Sequence, residues 1–320
     1  KQWRIALRRI LPFLATICIV PILVFALHNP ELRDVHMIEQ RMLAPGAYFL
    51  TQLHVLRSYL RLFFIPINQN LDYDYPPTFV PGITTLASLV LLAAVLAFGL
   101  MQFNRRKLVF FGTCFFFLAL VVESSFFPLE DVIYEHRLYL PMTGLILALV
   151  GLVSCVPVRL LRTRGIALLF LVIPCLAFAT FNRNQTWLSR ETLWEDVIAK
   201  SPHKPRGYNN LGQFYQDEGQ QERSKSYFLK MLKLDPFYHY EAHLHLGWAF
   251  QEQSNLPKAR YHYEESLKLN SAQPKALYNL GLVHYDEGEF RIAAKYFHEA
   301  LKFSPDNVGF RYQLAASDYF

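Results

Sequence analysis

A phrase that recurs at a fixed interval constrains the last third of this chain: Asn209, Asn210, Leu211 and Gly212 are echoed by His245, Leu246 and Gly247, then by Tyr278, Asn279, Leu280 and Gly281. The three glycines lie about 34 residues apart, a period that only a stack of helical hairpins satisfies. The rest of the unit recurs with them. Tyr215, Gly219, Ser224, Phe228 and Pro236 follow Gly212, and His284, Gly288, Ala293, Phe297, Ala300 and Pro305 follow Gly281. Small residues let two antiparallel helices approach, the aromatic fills the space between them, and the proline comes where no further helical N–H is needed. The middle unit fits more loosely, with Phe250, Ala259, Tyr263 and Ser266 at matching places and Ser271 where proline is expected.

These are the spacings of tetratricopeptide repeats, expected at about 205–239, 240–273 and 274–307, with a partial unit over 308–320. A solenoid needs a polar cap, and the last helix, with Phe310, Tyr312, Leu314 and Tyr319, would leave an apolar face open. The chain also begins with Lys1 rather than Met. Both features lead us to expect an internal piece of a longer protein.

Charge divides the chain at about residue 183. The 32 Lys and Arg split evenly across that point, whereas 9 of the 26 acids precede it and 17 follow, so the net charge of +6 belongs to the first part. That part holds five apolar runs, 10–27, 84–101, 108–122, 140–156 and 165–181, read as spanning helices. The expected fold is therefore all-α: polytopic transmembrane helices over 1–183, then a tetratricopeptide-repeat α-solenoid over 184–320. Basic groups without acids flank the runs: Lys1, Arg4, Arg8 and Arg9; Arg105, Arg106 and Lys107; Arg159, Arg162 and Arg164. Positive charge stays on the cytoplasmic side, which sends residues 28–83, residues 123–139 and the repeat array to the opposite side. The basic balance thus reflects topology and gives no reason to expect nucleic acid as a partner. No small-residue cleavage site follows the first run, so it reads as a span rather than a signal peptide. Cys18, Cys114, Cys155 and Cys175 all fall in or beside apolar runs, and neither a disulfide framework nor a metal site follows from them.

Two segments of the first part carry unusual polar residues. Residues 48–66 alternate apolar positions at helical spacing with Gln52, Arg57 and Arg61, as in a helix lying at the membrane interface. Arg57 and Arg61 would face a lipid phosphate, or the helix would simply pack on neighbouring spans. Asp72 and Asp74 follow with Tyr73 and Tyr75 between them. In an extended stretch both carboxylates share one side, where a divalent cation or a sugar could be held, or the tyrosines anchor a structural loop. Glu135, His136 and Arg137 stand together just before an apolar run. Charges at the mouth of a span are costly unless paired or functional. Arg137 suits bidentate phosphate recognition and His136 proton transfer, whereas a Glu135–Arg137 or Asp131–Arg137 pair would make the phrase structural.

These phrases, Leu71–Pro76, Glu135–Pro141, Asn184–Arg190 with Trp194 and Glu195, and the repeats that follow, together resemble the bacterial membrane proteins related to the transmembrane and tetratricopeptide-repeat O-mannosyltransferases. The resemblance covers essentially the whole chain. It implies a multispanning enzyme that moves a sugar from a polyprenyl-phosphate donor to a protein hydroxyl on the trans side of the membrane. In that family the general base and a metal-associated acid usually lie in a first trans-side loop, which this chain lacks. No catalytic residue is therefore assigned, the piece alone is expected to be inactive, and a divalent metal is a possibility for the intact protein only. The resemblance places Arg137, with His136 and Glu135, at the donor phosphate. It implies a bacterial inner-membrane protein with its array on the periplasmic side. The competing reading is a non-catalytic membrane scaffold that recruits partner proteins.

The array itself suggests a peptide groove lined by the first helix of each unit. In register the groove positions are Arg206, Asn209, Gln213 and Gln216; Glu241 and Trp248; Lys275, Tyr278 and Tyr285. Amides, aromatics and mixed charges suit an extended acceptor or partner protein. His239 and His243 have the i, i+4 spacing of a metal pair, but His243 occupies a large inward position of the repeat, so no metal is assigned there. The acceptor pattern Asn184-Gln185-Thr186 is too common by chance to assign glycosylation.

Overall fold

The computed structural model describes residues 43–121, 124, 129, 131–154, 156–157 and 165–319, which are helical or irregular and contain no strand. The run 10–27, the basic groups at residues 1–9 and 159–164, and Glu123, Glu130, Cys18 and Cys155 lie outside the described residues. The chain divides into two compact units, the first ending at Ala179 and the second comprising Thr180–Phe320 together with Asp72–Asp74.

The first unit contains α1 (Pro45–Phe64), α2 (Ile83–Met101), α3 (Lys107–Leu120), a 3₁₀ turn (Glu135–Leu138), α4 (Tyr139–Val153) and most of α5 (Ile166–Thr186). The runs 84–101, 108–122, 140–156 and 165–181 correspond to α2, α3, α4 and α5. Two stretches, Ile83–Met101 and Glu135–Val153, are long and apolar enough to cross a membrane, and Lys107–Leu120 is a shorter apolar helix. α5 carries Pro174 in its interior.

Glycines decide how α3 and α4 meet. A side chain at Gly112 would run into the carbonyl oxygen of Gly144 and the backbone nitrogen of Ala148, and one at Gly144 would meet Gly112 and the nitrogen of Phe116 in return. The two backbones are therefore in direct contact, the close approach that small residues allow between packed helices.

α1 packs within its unit, the second of the two readings of residues 48–66. Thr51, Gln52, Leu53, His54 and Val55 are all buried, so this stretch is covered on every side. Its polar groups have partners inside the unit: Gln52 Nε2 donates to the Val132 carbonyl at 2.8 Å, His54 Nε2 lies 2.9 Å from Thr85 Oγ1, and Tyr59 donates to the Tyr134 carbonyl at 2.9 Å. Backbone carbonyls of an irregular segment need donors, and α1 supplies them.

In the second unit α6 (Arg190–Lys200) precedes the repeats. Its N-terminus is capped by Ser189, whose Oγ accepts from Thr192 N at 3.1 Å. The repeat hairpins are α7 (Pro205–Asp217) with α8 (Gln221–Met231), α9 (His239–Glu252) with α10 (Leu256–Leu269), and α11 (Pro274–Asp286) with α12 (Phe290–Phe303); α13 (Val308–Asp318) follows. Pro205 and Pro274 begin helices where their missing N–H is harmless, and Asn255 and Asn307 cap α10 and α13.

One packing rule recurs within each hairpin. The ring of Phe228 lies on Gly212, Tyr263 on Gly247 and Phe297 on Gly281, so close that a Cβ added to any of these glycines would fall 2.6–2.7 Å from the nearest ring carbon. Apolar clusters then join successive hairpins. Phe228 and Met231 meet Ala242 and Leu246, Ala259 and Tyr263 meet Leu280 and Val283, and Leu277 and Ala300 meet Phe310. The turn inside each hairpin needs a left-handed residue at one fixed place. Gly219 (φ 72°) and Gly288 (φ 79°) supply it freely, whereas the middle repeat uses Ser254 (φ 55°).

Candidate functional site

Two clefts hold candidate residues, one in each unit. The cleft in the first unit has a volume of about 420 Å³ and lies among α1, α2, α3 and α4. Its walls are almost wholly apolar, with Leu60, Phe64, Val95, Phe98, Leu145 and Leu149 among them, and Arg57 and Arg61 are its charged members. Arg61 also donates to the Ile67 carbonyl at 3.0 Å.

The Glu135, His136 and Arg137 phrase does not line that cleft; it is built into a turn. Arg137 donates to the Asp131 carbonyl at 3.1 Å and its guanidinium lies 4.9 Å from the centre of the Tyr134 ring. Glu135 Oε1 accepts from Asn70 N at 2.7 Å, and Tyr134 donates to the Asp131 carboxylate. His136 is exposed beside the Tyr134 ring. The structure thus separates Arg57 and Arg61 from the three residues grouped with them on sequence.

Asp72 and Asp74 do not share an environment. Asp72 is 2 % exposed, and its Oδ1 lies 3.4 Å from Lys204 Nζ and 3.5 Å from the Arg206 guanidinium. Asp74 is exposed, and its N–H donates to Ser201 Oγ at 2.8 Å. The alternation of an ideal extended strand, which put both carboxylates toward one cation, gives way because two basic side chains already take the charge of Asp72.

The second cleft, about 360 Å³, lies along the repeats. Asn209, Gln213, Gln216, Glu241 and Lys275 line it, joined by Asp217, Tyr240, Leu244, His245 and Gln273. Its polar groups form a chain: Asn209 Nδ2 donates to Glu241 Oε2 at 3.2 Å, Gln213 Nε2 lies 3.3 Å from Asn209 Oδ1 and 3.1 Å from His245 Nε2, and Tyr240 donates to Glu241 Oε1 at 3.0 Å. Gln216 Oε1 is buried without a hydrogen-bond partner. Burial pushes the Glu241 carboxyl above its usual range, against the opposing effects of the Tyr240 bond and Arg206. The remaining predicted groove residues lie elsewhere. Arg206 faces Asp72, Tyr285 packs edge-on against Phe290, and Tyr278 stacks on Phe310 at 4.6 Å, where it belongs to a junction between repeats. Trp248 is partly buried and does not line the cleft.

The sequence reading missed Tyr240, His245 and Gln273. His245 takes the place that Asn210 holds in the preceding repeat, and it meets Gln213 across the joint between repeats, a pairing that leaves no signal at equivalent positions.

His245 also gives the array a pH dependence. It stacks on Phe228 at 4.6 Å, and burial, with Lys275 nearby, lowers its pKa from 6.5 to about 4. The folded state thus binds fewer protons than the unfolded one between these values, so stability is full above 6.5 and falls as pH drops toward 4. The loss is roughly 3 kcal/mol. Chemical denaturation of the repeats at pH 7 and pH 4.5 is expected to show this drop in the parent chain and a smaller one in His245→Phe; equal drops would remove His245 as the cause.

Comparison with known proteins finds repeat families within the second unit. Residues 205–238 and 274–307 match the tetratricopeptide repeat family, and residues 247–288 match a further TPR repeat family. The chain is 28% identical over 203 residues to protein O-mannosyl-transferase TMTC1 of Mus musculus, a match covering 59% of this chain and 21% of that protein. It is 26% identical over 176 residues to TMTC3 of Homo sapiens, covering 54% of this chain and 19% of the relative. Protein O-mannosyl-transferase F38B6.6 of Caenorhabditis elegans is 26% identical over 199 residues, covering 59% and 27%. The chain thus spans between about a fifth and a quarter of the length of these relatives. Among solved structures, a crystal structure of MamA matches 39% of this chain and 72% of its own at 22% identity and a TM-score of 0.35. The first TPR of Spaghetti (RPAP3) bound to an HSP90 peptide matches 36% and 91% at 17% identity and a TM-score of 0.35. The chain carries tetratricopeptide repeats and, over about three-fifths of its length, is homologous to the protein O-mannosyl-transferases.

Proposed function

We propose that this chain is part of a membrane glycosyltransferase of the O-mannosyl-transferase kind, in which the first unit holds a polyprenyl-phosphate-linked sugar and the repeats hold the acceptor protein. The observation that carries the donor half is the apolar cleft with two arginines. An isoprenoid tail needs a long apolar channel, and its phosphate needs guanidinium donors at the channel's edge. Arg57 and Arg61 are the phosphate ligands in this reading, and the Arg137 turn positions the segment that packs on α1.

Four helices cross the membrane in this proposal, α2 to α5, preceded by the run 10–27. The large apolar residues exposed on α2 and α5, such as Leu86, Val90, Phe98, Phe170, Leu171 and Phe178, suit contact with lipid tails. The acid-free basic groups support an array on the trans side, which in a bacterial inner membrane is the periplasm. The acceptor half rests on the second cleft. An extended peptide offers N–H and carbonyl groups at regular intervals, and the side chains of Asn209, Gln213, Glu241 and Lys275 line the cleft where such groups would lie.

The test is transfer by the intact protein from a polyprenyl-phosphate mannose to an acceptor peptide. Arg57→Ala with Arg61→Ala is expected to cut transfer by about tenfold or more, through lost charge-assisted hydrogen bonds to the donor. Gln213→Ala with Gln216→Ala is expected to raise the acceptor KM and leave the donor KM unchanged. Parent-level transfer by the double arginine variant would refute the donor assignment. Transfer activity absent throughout, with partner capture still dependent on Gln213 and Gln216, would favour the scaffold.

A further inference from the structure

His243 and His262 present the same ring nitrogen to each other from the two helices of the middle hairpin. Their Nδ1 atoms are 2.9 Å apart, with the ring centres 5.1 Å apart and the planes inclined by 38°. Two chemical arrangements give such a distance. One imidazole can donate Nδ1–H to the other, or both lone pairs can converge on one cation. Two nitrogens each 2.0–2.1 Å from a metal, at a right angle, lie about 2.9 Å apart. The hairpin therefore holds the bite of a chelate.

We propose that His243 and His262 together bind a divalent transition-metal ion of the Cu²⁺ or Ni²⁺ class, whose ligands meet at right angles, through their Nδ1 atoms, tying α9 to α10. Imidazole nitrogens select these ions over Mg²⁺ and Ca²⁺, which prefer oxygen. The ring orientations are set by packing: His262 stacks face to face on Phe250 at 5.3 Å, and His243 stands edge-on to Tyr261 at 6.5 Å. Burial keeps both imidazoles neutral near pH 7, the form that can ligate. Binding then needs only a change of tautomer, with the proton placed on Nε2, and no net proton release. Glu265, on the turn of α10 after His262, is the anionic group acting on both rings. His239 and Lys258 are the opposing basic neighbours.

This pair differs from the i, i+4 pair visible in the sequence. His239 is on the same helix as His243, whereas the nitrogen that meets His243 comes from the other helix. A second group, His284, Glu287 and Glu289, brings its ligand atoms within 4.8 Å. There the carboxylates are already engaged, Glu287 by Arg260 and Glu289 by His284 at 2.5 Å. It serves as the internal control.

The experiment uses the untagged full chain in detergent, titrated with Cu²⁺ alone and followed by electron paramagnetic resonance, and with Ni²⁺ followed by calorimetry. One ion per chain with two equatorial imidazole nitrogens is expected. His243→Gln and His262→Gln should each weaken Ni²⁺ binding by about tenfold or more, and His284→Gln should leave it unchanged. Binding unaffected by either of the first two variants, or abolished by His284→Gln, overturns the assignment. Should a variant fail to fold, the parent spectrum decides, because a copper signal without two equatorial imidazoles excludes the chelate.

Discussion

Phe297→Ala is expected to lower the stability of the repeat unit by about 3–5 kcal/mol, the range for removing a buried phenylalanine. Phe297 is fully buried, lies on Gly281 and contacts the Tyr278 ring at 5.5 Å between centres. Its removal empties the middle of α11 and α12 at the point where neither backbone can close the gap, because α11 has no side chain there. Urea denaturation of the detergent-solubilised chain, followed by far-ultraviolet circular dichroism, measures the loss. A fall below about 1 kcal/mol would mean that the hairpin collapses around the cavity and that the glycine–aromatic contact is not its main support. Phe297→Tyr should keep most of the stability, since Tyr263 already fills the corresponding place in the middle repeat.

Gly112→Leu is expected to damage the first unit, costing about 3 kcal/mol through overpacking. The obstacle is backbone rather than a mobile side chain: the Gly144 carbonyl and the Ala148 nitrogen occupy the space the new atoms need. α3 must move off α4, and the walls of the 420 Å³ cleft, which include Val109, Thr113, Leu145 and Ala148, move with it. Thermal unfolding and gel filtration in detergent should show a destabilised or aggregated chain. Gly82→Ala, where nothing lies within 4 Å of the added carbon, should behave as the parent. Equal behaviour of the two variants would mean that α3 and α4 do not touch through glycine.

The second unit was largely legible in the sequence because its periodicity and its packing have one cause. A glycine that must lie under an aromatic ring repeats whenever the ring repeats, so Gly212, Gly247 and Gly281 announce Phe228, Tyr263 and Phe297. α6 was harder to see: it packs on α7, with Ile198 against Gly207, but it belongs to no repeat and leaves no period. Residues 48–66 left two readings open for a different reason. Gln52, Arg57 and Arg61 look like a polar face, and only the fold shows that the Val132 carbonyl waits for Gln52 and Thr85 for His54. Long-range partners of this kind, 80 residues apart for Gln52, leave no local pattern. The same limit hid the meeting of His243 with His262, and it made Tyr278 look like a groove residue when Phe310 covers it.

The turn of the middle hairpin has a consequence for how the stack yields. Each repeat is held only by its neighbours, so the continuity of the array depends on every joint between them. Two of the three turns place glycine in the left-handed conformation at no cost, and the middle one places Ser254 there, against a penalty of about 1 kcal/mol. A row of nearly equal links, one of them under tension, is weakened in its interior as well as at its ends.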